Sequence, residues 1–231
     1  MPEILTDTSP AVRGAAVKAS LMTLNRFLGR SPRTEVHEAP GFFRWRTAVP
    51  HPFFNGVAVA TPPDAAAEER ARSAIDYFGS HGVAAITWWL DPGVPTEPWA
   101  RVLLGMGFTL DSKLPGMAMA LADLPCGAAA GVEIRRVRSS EQLRTWTDVF
   151  IAGYELPAGY AAPLFYLYDD LHGPESPLQS YLAYRDGVPV ATASVFYAAG
   201  VAGIYDVATL PSARGQGIGS AVTLAPLLDA R

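Results

Sequence analysis

The first half of the chain alternates between helical and strand-like hydrophobic patterns. Ser9 followed by Pro10 is typical of an N-cap and first helical position, and apolar residues then recur at helical spacing up to Gly29. Asp64 is a plausible cap for a second helix, for which Gly82 supplies the end. The pattern therefore predicts helices over 10–29, 64–80 and 99–106, and strands over 41–47, 57–61, 83–90 and from 108 into 117–124.

A second run of elements begins after the small-residue stretch Pro125–Gly131, which indicates a domain boundary. Asp186-Gly187 lies between two strand-like runs and is a strong hairpin signal. The predicted strands are 132–137, 180–185, 188–197 and 202–209, with helices over 139–152, 164–171 and from about 219 to 231. The expected fold class is mixed α/β, with one domain over 1–125 and a second over 131–231.

Composition and charge exclude several classes of protein. Of the 231 residues 49% are hydrophobic and 17% charged, which argues against extensive disorder. The net charge of −4 disfavours a nucleic-acid binder. The uncharged stretch 187–205 contains Pro189, Gly200 and Gly203, and this favours two buried strands over a membrane span. We therefore expect a soluble, cytoplasmic protein that binds neither nucleic acid nor membrane.

Few residues suggest a metal or redox site. The single cysteine, Cys126, lies in the small-residue linker and is expected to be a reduced linker residue. The four histidines are scattered and lack metal-ligand spacing, so no metal is expected.

The most informative segment joins the last predicted strand to the last predicted helix. It reads Arg214-Gly215-Gln216-Gly217-Ile218-Gly219. Glycines allow a tight turn and close approach of a ligand, and the free amides of a helix start attract anions. Arg214 would add a permanent positive charge at the rim. The segment therefore predicts a site for phosphate oxygens.

Three other interpretations of this glycine-rich segment are weaker. A nucleotide P-loop needs a lysine after its last glycine, and Ser220 stands there instead. A dinucleotide fingerprint needs a third glycine where Ser220 stands and an acidic residue about 20 positions further on, and the sequence ends before that position. An ordinary turn without a ligand would not need three alternating glycines, each of which adds conformational entropy to the unfolded chain.

The run Val207–Ala221 resembles the acyl-coenzyme A signature of the GNAT N-acetyltransferases. The core of that signature, Arg/Gln-x-x-Gly-x-Gly/Ala, is matched by Arg214, Gly217 and Gly219. The order of elements over about 100 residues also resembles the family. The resemblance implies a largely antiparallel sheet flanked by helices, and acetyl-CoA as the cosubstrate.

The resemblance also implies roles for individual residues. The backbone of Val207, Ala208 and Thr209 would pair with the pantetheine arm of acetyl-CoA. The pyrophosphate would be bound by the amides of Arg214, Gly215, Gln216, Gly217, Ile218, Gly219 and Ser220. The reaction implied is direct acetyl transfer from the thioester to an amine of a small molecule or peptide, without a metal.

Asp206 is the candidate base, because it precedes the cofactor-binding segment on the predicted strand and lies in an apolar run. Burial of such an acid tends to raise its pKa. A structural acid hydrogen-bonded to a neighbouring element is the alternative. Strand alternation predicts that Asp206 and Ala208 face one side of the sheet, and Tyr205 and Val207 the other.

An aromatic and acidic segment lies where family members form the acceptor site. It could bind an amine or form an aromatic lid, and its residues are Tyr154, Tyr160, Tyr166, Tyr168, Asp169 and Asp170. A complete family member continues beyond the helix that ends near Arg231, in a part that usually supplies the acid for the leaving thiolate. We therefore expect the sequence to be a fragment.

Residues 65–124 are similar in element order to the second half of a GNAT domain, but Pro62-Pro63-Asp64 replaces the glycine-rich loop. This suggests a tandem protein whose first copy is degenerate and cannot bind coenzyme A. Two alternatives to an acetyltransferase remain, namely a non-catalytic acyl-CoA binding or sensing module and an interaction domain without a ligand. The sequence specifies neither the acceptor nor the oligomeric state.

Overall fold

The computed structural model describes residues 4–91, 93–111, 115–125 and 131–231, and within them it is a mixed α/β structure. The helices are α1 (Pro10–Leu28), α2 (Ala67–Ser80), α3 (Thr96–Gly105), α4 (Ser140–Gly153), α5 (Ala161–Leu171) and α6 (Ile218–Asp229). The strands are β1 (Glu35–Ala39), β2 (Phe42–Arg46), β3 (Asn55–Val59), β4 (Thr87–Leu90), β5 (Val132–Arg136), β6 (Leu178–Arg185), β7 (Val188–Ala198) and β8 (Val201–Thr209). These elements confirm the predicted fold class.

The chain divides into two compact units. The larger unit combines Met1–Arg30 with Gly116–Arg231, and the smaller unit is Ser31–Pro115. This division differs from the predicted domains 1–125 and 131–231, because helix α1 packs on strands β7 and β8 of the larger unit. Phe27 of α1 contacts Phe196 of β7, with ring centroids 5.2 Å apart. Helix α1 is only weakly amphipathic, so its sequence does not indicate which sheet it packs against.

The larger unit has a fully antiparallel sheet in the order β5-β6-β7-β8. On one face, Ile218 and Val222 of α6 pack on alternate residues of β6 and β7 to form an apolar core. On the other face, Trp146 of α4 is fully buried and its indole Nε1 donates to the carbonyl of Ala193 at 3.4 Å. The hairpin between β6 and β7 turns at Asp186-Gly187, as predicted.

The smaller unit has a mixed sheet in the order β1-β2-β3-β4, in which β3 and β4 are parallel. The crossover between these two strands is α2, which buries Ala71 and Phe78 against Val57 of β3. Trp99 of α3 completes this core, and its indole Nε1 donates to the carbonyl of Thr61 at 2.7 Å.

In the first half, the structure contains one strand that was not predicted and lacks one that was. Strand β1 was not predicted, because its five residues are all exposed and show no alternation. The strand predicted from Phe108 into 117–124 is absent from described residues 108–111 and 115–125, which contain only a 3-10 turn at Leu121–Asp123. Apolar character misled the prediction, since Leu110 and Met117 are 77% and 89% exposed and the described residues offer this segment no strand partner.

Cys126 and most of the predicted linker lie outside the described residues. Within the described residues, none of the helices combines the length and the apolar character that a bilayer crossing requires.

Candidate active site

Strand β8 contains a bulge at the candidate base. Ser194 of β7 pairs with Tyr205, whereas Thr192 pairs with Ala208, so Asp206 and Val207 together lie opposite a single residue of β7. Asp206 adopts a left-handed backbone conformation with φ of 56°. Aspartate tolerates this region better than most residues, but the conformation is sparsely populated and costs energy. A bulge of this kind redirects a side chain at the end of a strand.

Because of the bulge, the side chains of β8 do not alternate between the two faces of the sheet as predicted. Asp206 and Ala208 share a face, as predicted, but Tyr205 also lies on that face because it pairs with Ser194, whose side chain contacts the Asp206 carboxylate. Val207 instead packs against the core beneath α6. Two successive side chains therefore point to the face covered by α1 and α4, which regular strand geometry does not permit.

Asp206 is held at both its side chain and its backbone. The Tyr168 hydroxyl on α5 donates to carboxylate Oδ2 at 2.8 Å, and the Thr192 hydroxyl donates to the Asp206 carbonyl at 2.8 Å. Asp206 as a whole residue is half-buried. Burial raises the pKa of Asp206 above its ordinary value, and the hydroxyls of Tyr168 and Ser194 offset part of that rise.

Three tyrosines lie close enough to the Asp206 carboxylate for its charge to affect their pKa values. Burial and then the Asp206 charge raise the pKa of Tyr154 and raise that of Tyr168 well above its ordinary value. Burial also raises the pKa of Tyr205, whose hydroxyl lies 2.9 Å from the Ser20 hydroxyl of α1. All three phenols therefore stay neutral in the physiological range and can donate hydrogen bonds beside the acid.

The glycine-rich loop leads directly into α6. Gly215 and Gly217 have φ of 74° and 75°, which only glycine adopts readily, and Gly217 is the N-cap of the helix. Gly215, Gln216, Gly217 and Ser220 are exposed. Among the described residues, the backbone amides from 215 to 220 donate to no protein acceptor. The first backbone amide of α6 that donates a hydrogen bond is that of Ala221, to the Gly217 carbonyl. A row of free amides at a helix start is suited to binding an anion.

The guanidinium of Arg214 is hydrogen-bonded to the protein itself, although the side chain is 48% exposed. It donates to the carbonyl of Gly153 at 2.7 Å and to that of Thr209 at 3.1 Å, and it pairs with Glu155 at 3.4 Å. The side chain therefore ties the end of α4 and the end of β8 to the glycine-rich loop. Its contribution to an anion site would come through the loop conformation and the backbone more than through a free charge at the rim.

The other predicted binding residues differ in what they expose. Ala208 is buried against Gly153, where an added Cβ would lie 2.9 Å from the Ala208 methyl carbon. Ile218 is buried in the core, so only its backbone amide is available. Thr209 is partly exposed at the end of β8, which pairs with β7 and with no other strand among the described residues.

Sequence reasoning assigned no specific role to three residues of this site. Tyr168 was one of several aromatic residues in a variable segment, and spacing alone does not show that α5 places it against β8. Ser20 lies 185 positions from Tyr205 in the chain. Gly153 is the last residue of α4 but is not the left-handed residue of the turn that follows, which is Glu155, so its need for glycine comes from the close approach of β8.

Residues 142–225 match the model of the acetyltransferase (GNAT) family. The matched segment runs from α4 to α6 and includes Tyr168, Asp206 and the glycine-rich loop. This part of the chain is therefore a GNAT acetyltransferase domain, whose general activity is acyl transfer. Comparison with curated protein sequences finds no match.

Two solved structures share the fold over most of the chain. A GCN5-related N-acetyltransferase from Kribbella flavida is 23% identical, with a TM-score of 0.64 over 92% of this chain and 81% of that one. A conserved protein of unknown function from Staphylococcus epidermidis is 15% identical, with a TM-score of 0.58 over 85% of this chain and 80% of that one. At these identities the likeness concerns the fold.

The described part of the chain contains no group of three or more His, Cys, Asp or Glu side chains that could hold a metal ion.

Proposed function

We propose that this protein is an N-acetyltransferase that transfers the acetyl group of acetyl-CoA to an amine of a small molecule or peptide. The observation that supports this most directly is the order of features along β8 and α6 within a GNAT domain. A buried carboxylate on a strand bulge is followed by a strand end, a glycine turn and a row of free helix-start amides.

The residues present fit acetyl-CoA. Its pyrophosphate matches the free amides from Gly215 to Ser220, and the left-handed glycines leave the loop surface open, since nothing lies within 4 Å of a Cβ placed on Gly215. The backbone of Val207–Thr209 would pair with the pantetheine amides at the strand edge. Acetyl-CoA supplies a thioester carbonyl that an amine nitrogen can attack.

Asp206 would act as the base in this reaction. Its carboxylate takes the proton of the attacking amine as the new amide bond forms, and the thiolate of coenzyme A leaves as the thioester bond breaks. A raised pKa suits this task, since a base near its working pH accepts a proton readily. The neutral hydroxyls of Tyr154 and Tyr205 lie on the same side of the strand and can hydrogen-bond to the amine substrate.

The proposal predicts that Asp206→Asn lowers acetyl transfer about a hundredfold or more, the usual contribution of a general base. Asparagine tolerates the left-handed conformation and still accepts the Tyr168 hydrogen bond, so acetyl-CoA affinity should be retained. Acetyl-CoA consumption with a panel of amines measures the effect. Asp186→Asn is the matched control, because Asp186 also has a positive φ, of 50°, and lies in the β6–β7 turn.

If the acetyl-transfer rate of Asp206→Asn lies within about twofold of that of the unaltered protein, Asp206 is not the base, because loss of a general base costs far more than this. Acetyl-CoA binding without consumption for any amine would instead favour a binding or sensing module. No binding of acetyl-CoA at all would contradict the cosubstrate assignment itself.

A further inference from the structure

We propose that Tyr168 is the positioning residue of this site, holding the Asp206 carboxylate in a single orientation for proton uptake. This inference rests on the proposed role of Asp206 as the base. The Tyr168 hydroxyl donates to Asp206 Oδ2 at 2.8 Å, across 38 positions of sequence. Tyr168 would act through Asp206 and would not itself touch the reacting atoms.

The Tyr168 end of this contact is immobile. Its side chain is only 3% exposed, and its ring stacks on Trp146 with centroids 4.9 Å apart. Trp146 stacks in turn on Phe150 at 5.3 Å and is anchored to β7 through its indole Nε1. Rotation of the phenol would break this aromatic packing, so the hydroxyl is fixed before any ligand binds.

The Asp206 end is fixed by the strand bulge. The left-handed backbone at Asp206 turns its side chain toward α5, and the Thr192 hydroxyl bonded to its carbonyl stabilises that conformation. With the backbone held, a hydrogen bond to one carboxylate oxygen leaves the side chain little rotational freedom. Strained backbone conformations that the surroundings hold in place are typical of sites where a group must be preorganised.

The same hydrogen bond acts against the cost of burying a charge. Burial raises the pKa of Asp206, and the neutral Tyr168 hydroxyl opposes that rise because it stabilises the ionised form. The titratable groups that face the carboxylate are Tyr154 at the end of α4, Tyr168 on α5 and Tyr205 on β8. The side chains of Tyr154 and Tyr205 make no hydrogen bond to this carboxylate within the described residues, so loss of the Tyr168 hydroxyl should raise the pKa of Asp206.

The chain offers a matched control for this contact. Tyr181 on β6 is 2% exposed and donates to Asp229 Oδ2 on α6 at 2.9 Å. This pair has the same chemistry as Tyr168 and Asp206, but Asp229 lies at the opposite end of α6 from the glycine-rich loop. Tyr181→Phe therefore removes a comparable tyrosine–aspartate bond without altering the candidate site.

The test is a carbon-13 carboxyl titration of Asp206 by NMR in the unaltered protein, Tyr168→Phe and Tyr181→Phe, with Asp206→Asn to assign the signal. We expect a higher midpoint in Tyr168→Phe and an unchanged one in Tyr181→Phe. Loss of a hydrogen bond to a charged group should lower the ionised fraction about tenfold at a pH below the midpoint. An unmoved midpoint in Tyr168→Phe would overturn the proposal.

A second measurement needs no substitution at Tyr168. In the unaltered protein, the Cζ signal of Tyr168 should shift at the same pH as the Asp206 carboxyl signal, and this shift should vanish in Asp206→Asn. A Cζ signal that does not respond to the titration would also contradict the contact. This measurement remains informative if Tyr168→Phe does not fold.

Kinetics separate this inference from the proposed function. If both hold, Tyr168→Phe lowers kcat/KM at high pH, because the carboxylate is no longer held in one orientation, and it also moves the acid limb of the profile to higher pH. A loss that is uniform at every pH, with the acid limb unmoved, would show a packing role and contradict the proposal. Suppose that the Asp206 titration midpoint moves in Tyr168→Phe but Asp206→Asn keeps full activity. The contact would then exist, but Asp206 would not be the base and Tyr168 would have no role in catalysis.

Discussion

The two units share a local order of elements but differ at the point where the helix begins. In the larger unit, three antiparallel strands, β6, β7 and β8, lead into α6, and in the smaller unit β1, β2 and β3 lead into α2. This shared order is consistent with a tandem origin, and one solved structure follows the fold over 92% of the chain. The difference lies in the loop that precedes each helix.

In the smaller unit the helix start is already occupied by the protein itself. The Asp64 carboxylate accepts the amide of Ala66 at 3.0 Å and pairs with Arg70 at 2.8 Å. Glu68 and Glu69 add negative charge to the first turn of α2. Neither N-cap residue, Ala66 of α2 or Gly217 of α6, has a side-chain cap, so the difference lies in charge. An incoming phosphate at α2 would compete with one carboxylate and be repelled by two others, whereas the start of α6 has no acidic residue in its first turn.

The strands that precede the two helices also differ. Strand β3 pairs with β2 on one side and with β4 on the other, through four residue pairs from Gly56 to Val59. Strand β8 pairs only with β7 within the described residues. The two units therefore share a strand–helix frame but differ in the features that we propose bind the pyrophosphate and the pantetheine arm. This supports the proposal that the smaller unit cannot bind coenzyme A.

The largest effect should come from closing the anion site of the larger unit. Gly217→Glu places a carboxylate at the start of α6, and repulsion of the pyrophosphate should weaken acetyl-CoA binding at least about a hundredfold. The control is Gly187→Glu, because Gly187 has φ of 77° against 75° at Gly217 and so suffers the same backbone strain in the hairpin turn. Ligand-induced shifts in melting temperature would compare them, and equal losses would mean that strain alone is responsible.

A smaller effect, on the free energy of unfolding, should follow from a substitution that disrupts the packing of β3 against β4. A Cβ at Gly56 would lie 2.5 Å from the Thr87 carbonyl oxygen and 3.0 Å from the Trp45 ring, so Gly56→Ala should lower the free energy of unfolding by about 1–3 kcal/mol. Gly79→Ala on α2 meets nothing within 4 Å and should raise it by about 0.5–1 kcal/mol.

Urea unfolding followed by tryptophan fluorescence suits this comparison, because four of the five tryptophans, Trp45, Trp88, Trp89 and Trp99, lie in the smaller unit. Unchanged stability in Gly56→Ala would mean that the two strands are less tightly joined than the structure indicates. Acetyl-CoA affinity should be unaffected by either substitution if only the larger unit binds it.

The sequence predicted the larger unit better than the smaller one, for physical reasons. The antiparallel strands of the larger unit are long and apolar, and the Asp186-Gly187 turn fixes their register. Strand β1 of the smaller unit is short and fully exposed, so no periodic pattern marks it. The apolar stretch around Leu110 of the smaller unit misled the prediction in the opposite direction, since hydrophobicity does not reveal whether a strand partner is present.

The candidate site was predictable where it depends on local chemistry. Gly215 and Gly217 require positive φ, and the sequence pattern anticipates a turn into a helix there. The bulge at Asp206 and its contact with Tyr168 depend on pairing between distant segments, which single-sequence patterns do not encode. The direction of the Arg214 guanidinium likewise depends on carbonyls that α4 and β8 bring together.

The most direct test of the difference between the two units is the stoichiometry of acetyl-CoA binding to the unaltered chain, measured by isothermal titration calorimetry with NAD as the comparison ligand. The account predicts one acetyl-CoA per chain and no binding of NAD. Two molecules per chain would show that the smaller unit retains a cofactor site despite Asp64. Absence of acetyl-CoA binding would contradict the site at the start of α6.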